Sequence, residues 1–202
     1  MKRGTILLLA TVFILLVAFG FTFFLHFHET RADALNWKFD DPVFKLLPIA
    51  DVSIAIFSIT YGAMFIYALS NFRIPHFLSR AFLGYGILLI FRTGTLALVP
   101  LKEPDTIVFL DDPFLNYFIY TGENNADLIN ADLFFSGHTA LLFLLFFLTK
   151  KKLLYLVLGI ILAILLMIQR VHYSIDILGA IPFAYLSVRF ADYILFSLAK
   201  RT

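Results

Sequence analysis

Residues 131–168 read ADLFFSGHTALLFLLFFLTKKKLLYLVLGIILAILLMI. Two apolar runs, Ala131–Thr149 and Leu153–Ile168, flank the consecutive cations Lys150, Lys151 and Lys152. A helix needs roughly 20 mostly apolar residues to cross a hydrocarbon core about 30 Å thick. The first run meets that length; the second is short, so its ends extend past these limits. The lysines leave room only for a minimal turn. The stretch is therefore a tight antiparallel pair of membrane helices with a cationic turn.

The pattern continues in both directions. Further spans lie near Ile6–Leu25, Ile49–Leu69, Phe77–Val99 and Tyr173–Ser197. The expected fold is all-α: a polytopic membrane protein, a bundle of six transmembrane helices forming one domain over residues 1–202. Of the 202 residues, 61% are hydrophobic and 15% charged, whereas a soluble domain is nearer half apolar and about a quarter charged. The net charge of +2 implies no nucleic-acid partner. With no cysteine there is no disulfide, thiol nucleophile or thiolate metal site. The first span follows Lys2 and Arg3, and Ala32-Asp33-Ala34 looks like a cleavage site. Its apolar run exceeds the roughly 7–15 residues of a signal core, which favours a retained helix.

Six spans put both termini on one side. That side carries Lys2, Arg3, Arg73, Arg80, Lys150, Lys151, Lys152, Lys200 and Arg201, and no acid in those segments. The positive-inside rule makes it the cytoplasm. A short chain without tails fits a bacterial inner membrane. On the outer side the segment Pro100–Asn130 is long, and such loops are often lids or binding loops. Its Phe109, Phe114, Tyr117, Phe118 and Tyr120 suit either a cover for a site or an interfacial anchor.

Ionisable residues within membrane segments are functional candidates by default. Here they fall in two short blocks, Phe135-Ser136-Gly137-His138-Thr139 and Arg170-Val171-His172-Tyr173-Ser174-Ile175-Asp176. His138 lies 12 residues before Lys150, about 18 Å along a helix, in the outer half of the bilayer. Arg170 lies 18 residues after Lys152, about 27 Å along a helix, also at the outer interface. The topology thus brings both histidines to one membrane face. Ser136 and Gly137 look like a helix start, whose free N–H groups bind phosphate. His172 and Asp176 are four apart and share a helix face, so the carboxylate can fix the imidazole tautomer and activate the other nitrogen. His26, His28 and His76 are given no chemistry. Arg92 either reaches outward along the helix or serves the site, and Asp51 caps the second span.

Other chemistries fit less well. A zinc site built from the two histidines and a carboxylate lacks the usual ligand spacing. A Ser136 hydrolase lacks the strand–turn–helix elbow. A transporter would place its ionisable groups near the midplane between paired halves, and no repeat is visible.

The two blocks, Phe134-Phe135-Ser136-Gly137-His138-Thr139 and His172-Tyr173-Ser174-Ile175-Asp176, resemble the catalytic motifs of the sphingomyelin synthase family, within the type 2 phosphatidic-acid phosphatase superfamily. Asp41-Pro42 with Leu47-Pro48-Ile49-Ala50-Asp51 is similar to that family's proline-rich motif, and Phe91-Arg92-Thr93-Gly94-Thr95 to its arginine/threonine motif. The chain departs from the phosphatase branch: it has no Lys-x6-Arg-Pro motif, and one residue rather than five separates Arg170 from His172.

The resemblance implies transfer through a phosphohistidine. His172 attacks the lipid phosphorus, Asp176 orients it, and His138 protonates the leaving oxygen and then deprotonates the acceptor. Arg92, Arg170, Ser136 and Gly137 hold the phosphate oxygens. No metal or other cofactor enters this scheme. The expected function is a lipid head-group phosphotransferase, taking a phospholipid donor and a lipid alcohol as acceptor, at a site between the third, fourth and sixth helices facing outside. A lipid phosphate phosphatase, with water as acceptor, and a non-catalytic lipid-binding or transport protein are the alternatives.

Overall fold

A computed structural model of the chain describes residues 3–35, 37–110, 112 and 133–200. These residues form six α-helices: α1 (Arg3–Leu35), α2 (Ser53–Asn71), α3 (Phe77–Leu98), α4 (Gly137–Leu148), α5 (Lys152–Ile168) and α6 (Ser174–Lys200). A short 3-10 turn, Pro42–Leu46, precedes α2. Among the described residues there is no strand, only an isolated bridge between Trp37 and Leu101. Four stretches are long and apolar enough to cross a membrane: Arg3–Leu25, Ser53–Asn71, Phe77–Leu98 and Ser174–Leu198. The helices α4 and α5 are apolar but shorter.

Where α4 begins follows from local chemistry. Ser136 is its N-cap, and the Ser136 hydroxyl accepts from the Thr139 amide at 3.3 Å. An N-cap residue has extended backbone, so the helix starts at Gly137 and not at Ala131. The residues before it, from Leu133, are non-helical, and Ala131 and Asp132 lie outside the described residues. The link from α4 to α5 is as short as the lysines imply. The Lys152 ammonium closes it by donating to the Phe146 and Phe147 carbonyls at 2.6 and 3.2 Å. The first helix runs past its expected end, and His28 is buried, its ring stacked on the Phe24 ring at 5.4 Å.

The helix α4 is central, packing on α2, α3, α5 and α6. It brings Ala140, Leu142, Leu144 and Leu145 to the main core, with Ile56, Leu88, Tyr155, Leu162 and Ala184. By contrast α1 is peripheral and packs on α3. There the Phe13 ring sits where Gly86 has no side chain: a Cβ on Gly86 would stand 2.5 Å from it. Such small residues let apolar helices approach closely where no hydrophobic force separates helix from lipid. On its other face, Leu15, Leu16, Phe19 and Phe23 are 64–78% exposed, a stripe that suits hydrocarbon rather than water.

At the end of the bundle that carries the lysine turn, Arg80 of α3 pairs with Asp192 of α6, with one guanidinium–carboxylate contact at 2.7 Å. The same guanidinium donates to the Leu148 carbonyl at 3.3 Å, tying in the last turn of α4. Although α2 and α3 are joined by the short link 72–76, they splay apart: α2 packs on α4 and α5, and α3 on α1, α4 and α6.

Candidate functional site

The space left by that splay is a cavity of about 740 Å³. Most of its wall is apolar, with Tyr67, Leu78 and Phe82 as well as Phe57, Ile107 and Val171. Its polar lining includes Arg92, Gly137, His138, His172, Tyr61 and Asp112. The two histidines, 34 residues apart in sequence, therefore meet in one cavity. The wall contributed by α2 was not anticipated; the lining from the α5–α6 side comes from Val171 and His172, ahead of α6.

His172 stands on the turn into α6 and Asp176 in the first turn of that helix. The imidazole Nδ1 is 3.5 Å from Oδ2 of Asp176, an ion-pair separation rather than an aligned hydrogen bond. Oδ2 already accepts from the Tyr173 amide at 2.8 Å, which fixes the carboxylate. Asp176 is fully buried and His172 nearly so. Oδ1 of Asp176 and Nδ1 of His172 have no hydrogen-bond partner among the described residues. A carboxylate facing one imidazole nitrogen selects the tautomer and leaves the other nitrogen to face the cavity.

His138 is on the first turn of α4, its ring 5.7 Å from Phe57 in an edge arrangement. The first amides of a helix have no partner within it, so the start of α4 presents its dipole beside the same cavity. Arg92 completes this corner. Instead of reaching outward it is buried, and its Nε donates to the Phe135 carbonyl at 2.9 Å. A Cβ on Gly137 would stand 2.1 Å from Nη1 of Arg92, so the guanidinium lies directly on the glycine backbone. The non-helical approach to α4 is further held by Thr95, whose hydroxyl contacts the Phe134 carbonyl at 3.1 Å, and by the Ser136 amide donating to the Asp176 carbonyl at 3.1 Å.

Arg170 is not brought to the cavity. Its guanidinium donates to the carbonyls of Phe44 and Leu47 at 2.6 and 2.8 Å and lies over the Phe44 ring. The backbone at Arg170 is left-handed, φ 61°, a conformation that non-glycine residues hold only where their surroundings enforce it. The residue thus locks the turn that presents His172.

Two further residues serve this turn and were not picked out as site residues in the sequence. Gln169 is fully buried. Its carboxamide accepts from the Val52 amide at 2.7 Å and donates to the Ser53 hydroxyl at 2.7 Å and the Phe109 carbonyl at 3.1 Å. Asp41 accepts from the Val43 amide at 3.0 Å and, through its other oxygen, from the Ser174 amide that opens α6. The Asp41-Pro42 pair was visible as a motif, but only the fold shows that it caps a helix far along the chain. Asp51 is not the cap of α2, which is Val52; it stands one residue earlier and accepts from the Ser53 amide and hydroxyl, and that amide holds its carboxyl below the ordinary carboxylate value.

No group of three or more metal-ligating side chains occurs among the described residues. The aromatic residues Phe114, Tyr117, Phe118 and Tyr120 lie outside the described residues; Phe109 is described and half exposed. Comparison of the chain with protein-family models, with curated proteins and with solved structures finds no match.

Proposed function

We propose that the protein is a six-span membrane enzyme that transfers a phosphoryl-bearing head group between lipids at the outer membrane face. The observation that carries this reading is the shared cavity: His138, His172, Arg92 and Gly137 line it, with Asp176 behind His172.

The four long apolar helices and the shorter α4 and α5 fit a six-span chain. The shortness of α4 is compatible with spanning because the non-helical residues before it are covered by protein. Their carbonyls at Phe134 and Phe135 receive Thr95 and Arg92, and the Ser136 amide bonds the Asp176 carbonyl. Irregular backbone at membrane depth is tolerated under those conditions. The cations of the lysine turn support a reading with both termini in the cytoplasm and the site outside.

In the reaction, Nε2 of His172 attacks phosphorus as the bond to the donor's glyceride oxygen breaks. His138 gives its proton to that oxygen. The acceptor hydroxyl then returns a proton to His138 as its oxygen displaces His172. Asp176 holds Nδ1–H and balances the charge that grows on His172; contacts of this kind often shorten once substrate is bound. Arg92 and the start of α4 stabilise the phosphate oxygens. Arg170 supports the turn, so the phosphate-binding role carried by the resemblance rests on Arg92, Ser136 and Gly137. The apolar depth of the cavity suits the hydrocarbon part of a lipid.

The test pairs wild-type protein with His172→Ala in lipid nanodiscs, offering a fluorescent ceramide or diacylglycerol with choline and ethanolamine phospholipids. Head-group-bearing product from the wild type alone supports transfer. Free phosphate from labelled phosphatidate, again from the wild type alone, moves the protein to the phosphatase class. Equal behaviour of the two folded proteins on every lipid contradicts the catalytic reading.

A further inference from the structure

The helices α3 and α4 are held in register at both ends. At one end the Arg92 guanidinium lies on Gly137, the first residue of α4. At the other the Arg80 guanidinium donates to the carbonyl of Leu148, the last residue of α4. The two arginines are 12 residues apart, about 18 Å along a helix. The cavity runs the whole of that interval. Arg92 and His138 line it at the first end; Leu78 and Ala81 of α3, with Tyr67 and Ala68 of α2, line it at the second. The second end is closed where the link 72–76 joins α2 to α3. There the buried Tyr67 ring lies 6.2 Å from the Phe77 ring, and its hydroxyl donates to the Phe77 carbonyl at 3.4 Å. The flank is open, because Met64 lines the cavity and is also 46% exposed.

The cavity is therefore a slot with a polar reacting end and a blind apolar end. In the reaction, His138 serves the leaving oxygen of the donor and then the hydroxyl of the acceptor, so both lipid alcohols occupy the same place. Half a hydrocarbon core is about 15 Å deep, so the slot matches a chain that spans one leaflet. We propose that the slot holds one hydrocarbon chain of the lipid alcohol, and that its closed end at Tyr67, Ala68, Leu78 and Ala81 sets the longest chain accepted. This rests on the phosphotransfer reading and adds a chain-length limit to it. The open flank admits the chain sideways from the bilayer while the head group stays at the surface. Lipid is as apolar as the slot, so a chain that fits gains little from burial. Selectivity comes from the stop: a chain too long for the slot holds its phosphoester away from His172.

The occupant is tested by photolabelling in nanodiscs. A diacylglycerol with a diazirine at the end of one chain is expected to label residues 64–82, in wild type and in His172→Ala alike. A diazirine beside the ester is expected to label near His138 instead. An end-of-chain label confined to the exposed stripe of α1 overturns the proposal. The stop is tested by Ala81→Phe, which fills the closed end. Diacylglycerol release is measured from phospholipids with decanoyl and with stearoyl chains. The stearoyl-to-decanoyl ratio is expected to fall about tenfold from its wild-type value, the usual cost of overfilling an apolar site. A ratio that stays at the wild-type value overturns the chain-length limit. Label at 64–82 without any His172-dependent release supports the chain slot and removes the phosphotransfer reading.

Discussion

A methyl group on Gly137 would meet the Arg92 guanidinium at 2.1 Å. The clash is with the far end of a flexible side chain, so Gly137→Ala should fold but displace the guanidinium from the start of α4. Turnover is expected to fall on the order of 10²-fold, the usual cost of one lost anion-stabilising donor, with the thermal midpoint in detergent nearly unchanged. Asp176→Asn is expected to lower kcat by about 10²- to 10⁴-fold, since the amide no longer fixes the imidazole tautomer. At this scale much was legible in the sequence. His138, His172 and Asp176 stand out because ionisable residues are rare in apolar helices. Arg92 was legible as a candidate, but its direction was not: only the missing side chain at Gly137 lets it turn inward. Gln169 was illegible because glutamine carries no distinctive chemistry and its partners, Asp51, Val52, Ser53 and Phe109, are remote in sequence.

Between elements, polar contacts do what apolar packing cannot, because lipid competes with helix for every apolar face. Gln169→Leu removes the hydrogen bonds of the carboxamide to Val52, Asp51, Ser53 and Phe109 and leaves the Val52 amide and the Ser53 hydroxyl without that partner. At about 0.5–1.5 kcal/mol for each lost bond, a lower melting midpoint in detergent is expected. At the opposite end, alanine substitutions of Arg80 and Asp192 should couple in a double-mutant cycle by on the order of 1 kcal/mol, as befits a half-buried pair; purely additive effects would show that the pair is incidental. The elements themselves were readable from apolar run length, and the start of α4 from Ser136. The splay of α2 from α3, which creates the cavity, was not readable, since it depends on which neighbours each helix chooses.

For the molecule as a whole, the orientation is open to direct measurement because the chain has no cysteine. A cysteine placed at Lys151 should react with a membrane-impermeant maleimide only after the cytoplasmic side is opened, and one at Asp105 from outside in intact cells. The reverse pattern would place the site in the cytoplasm. The central claim is that His172 carries the transferred group. The most direct test incubates the protein briefly with a donor phospholipid radiolabelled at phosphorus, quenches at alkaline pH where phosphohistidine survives, and maps the label. Label on the peptide bearing His172, absent in His172→Ala and accumulating when His138 is replaced, is the expected result. Turnover by wild-type protein with no label on that peptide, or turnover retained by His172→Ala, would contradict it.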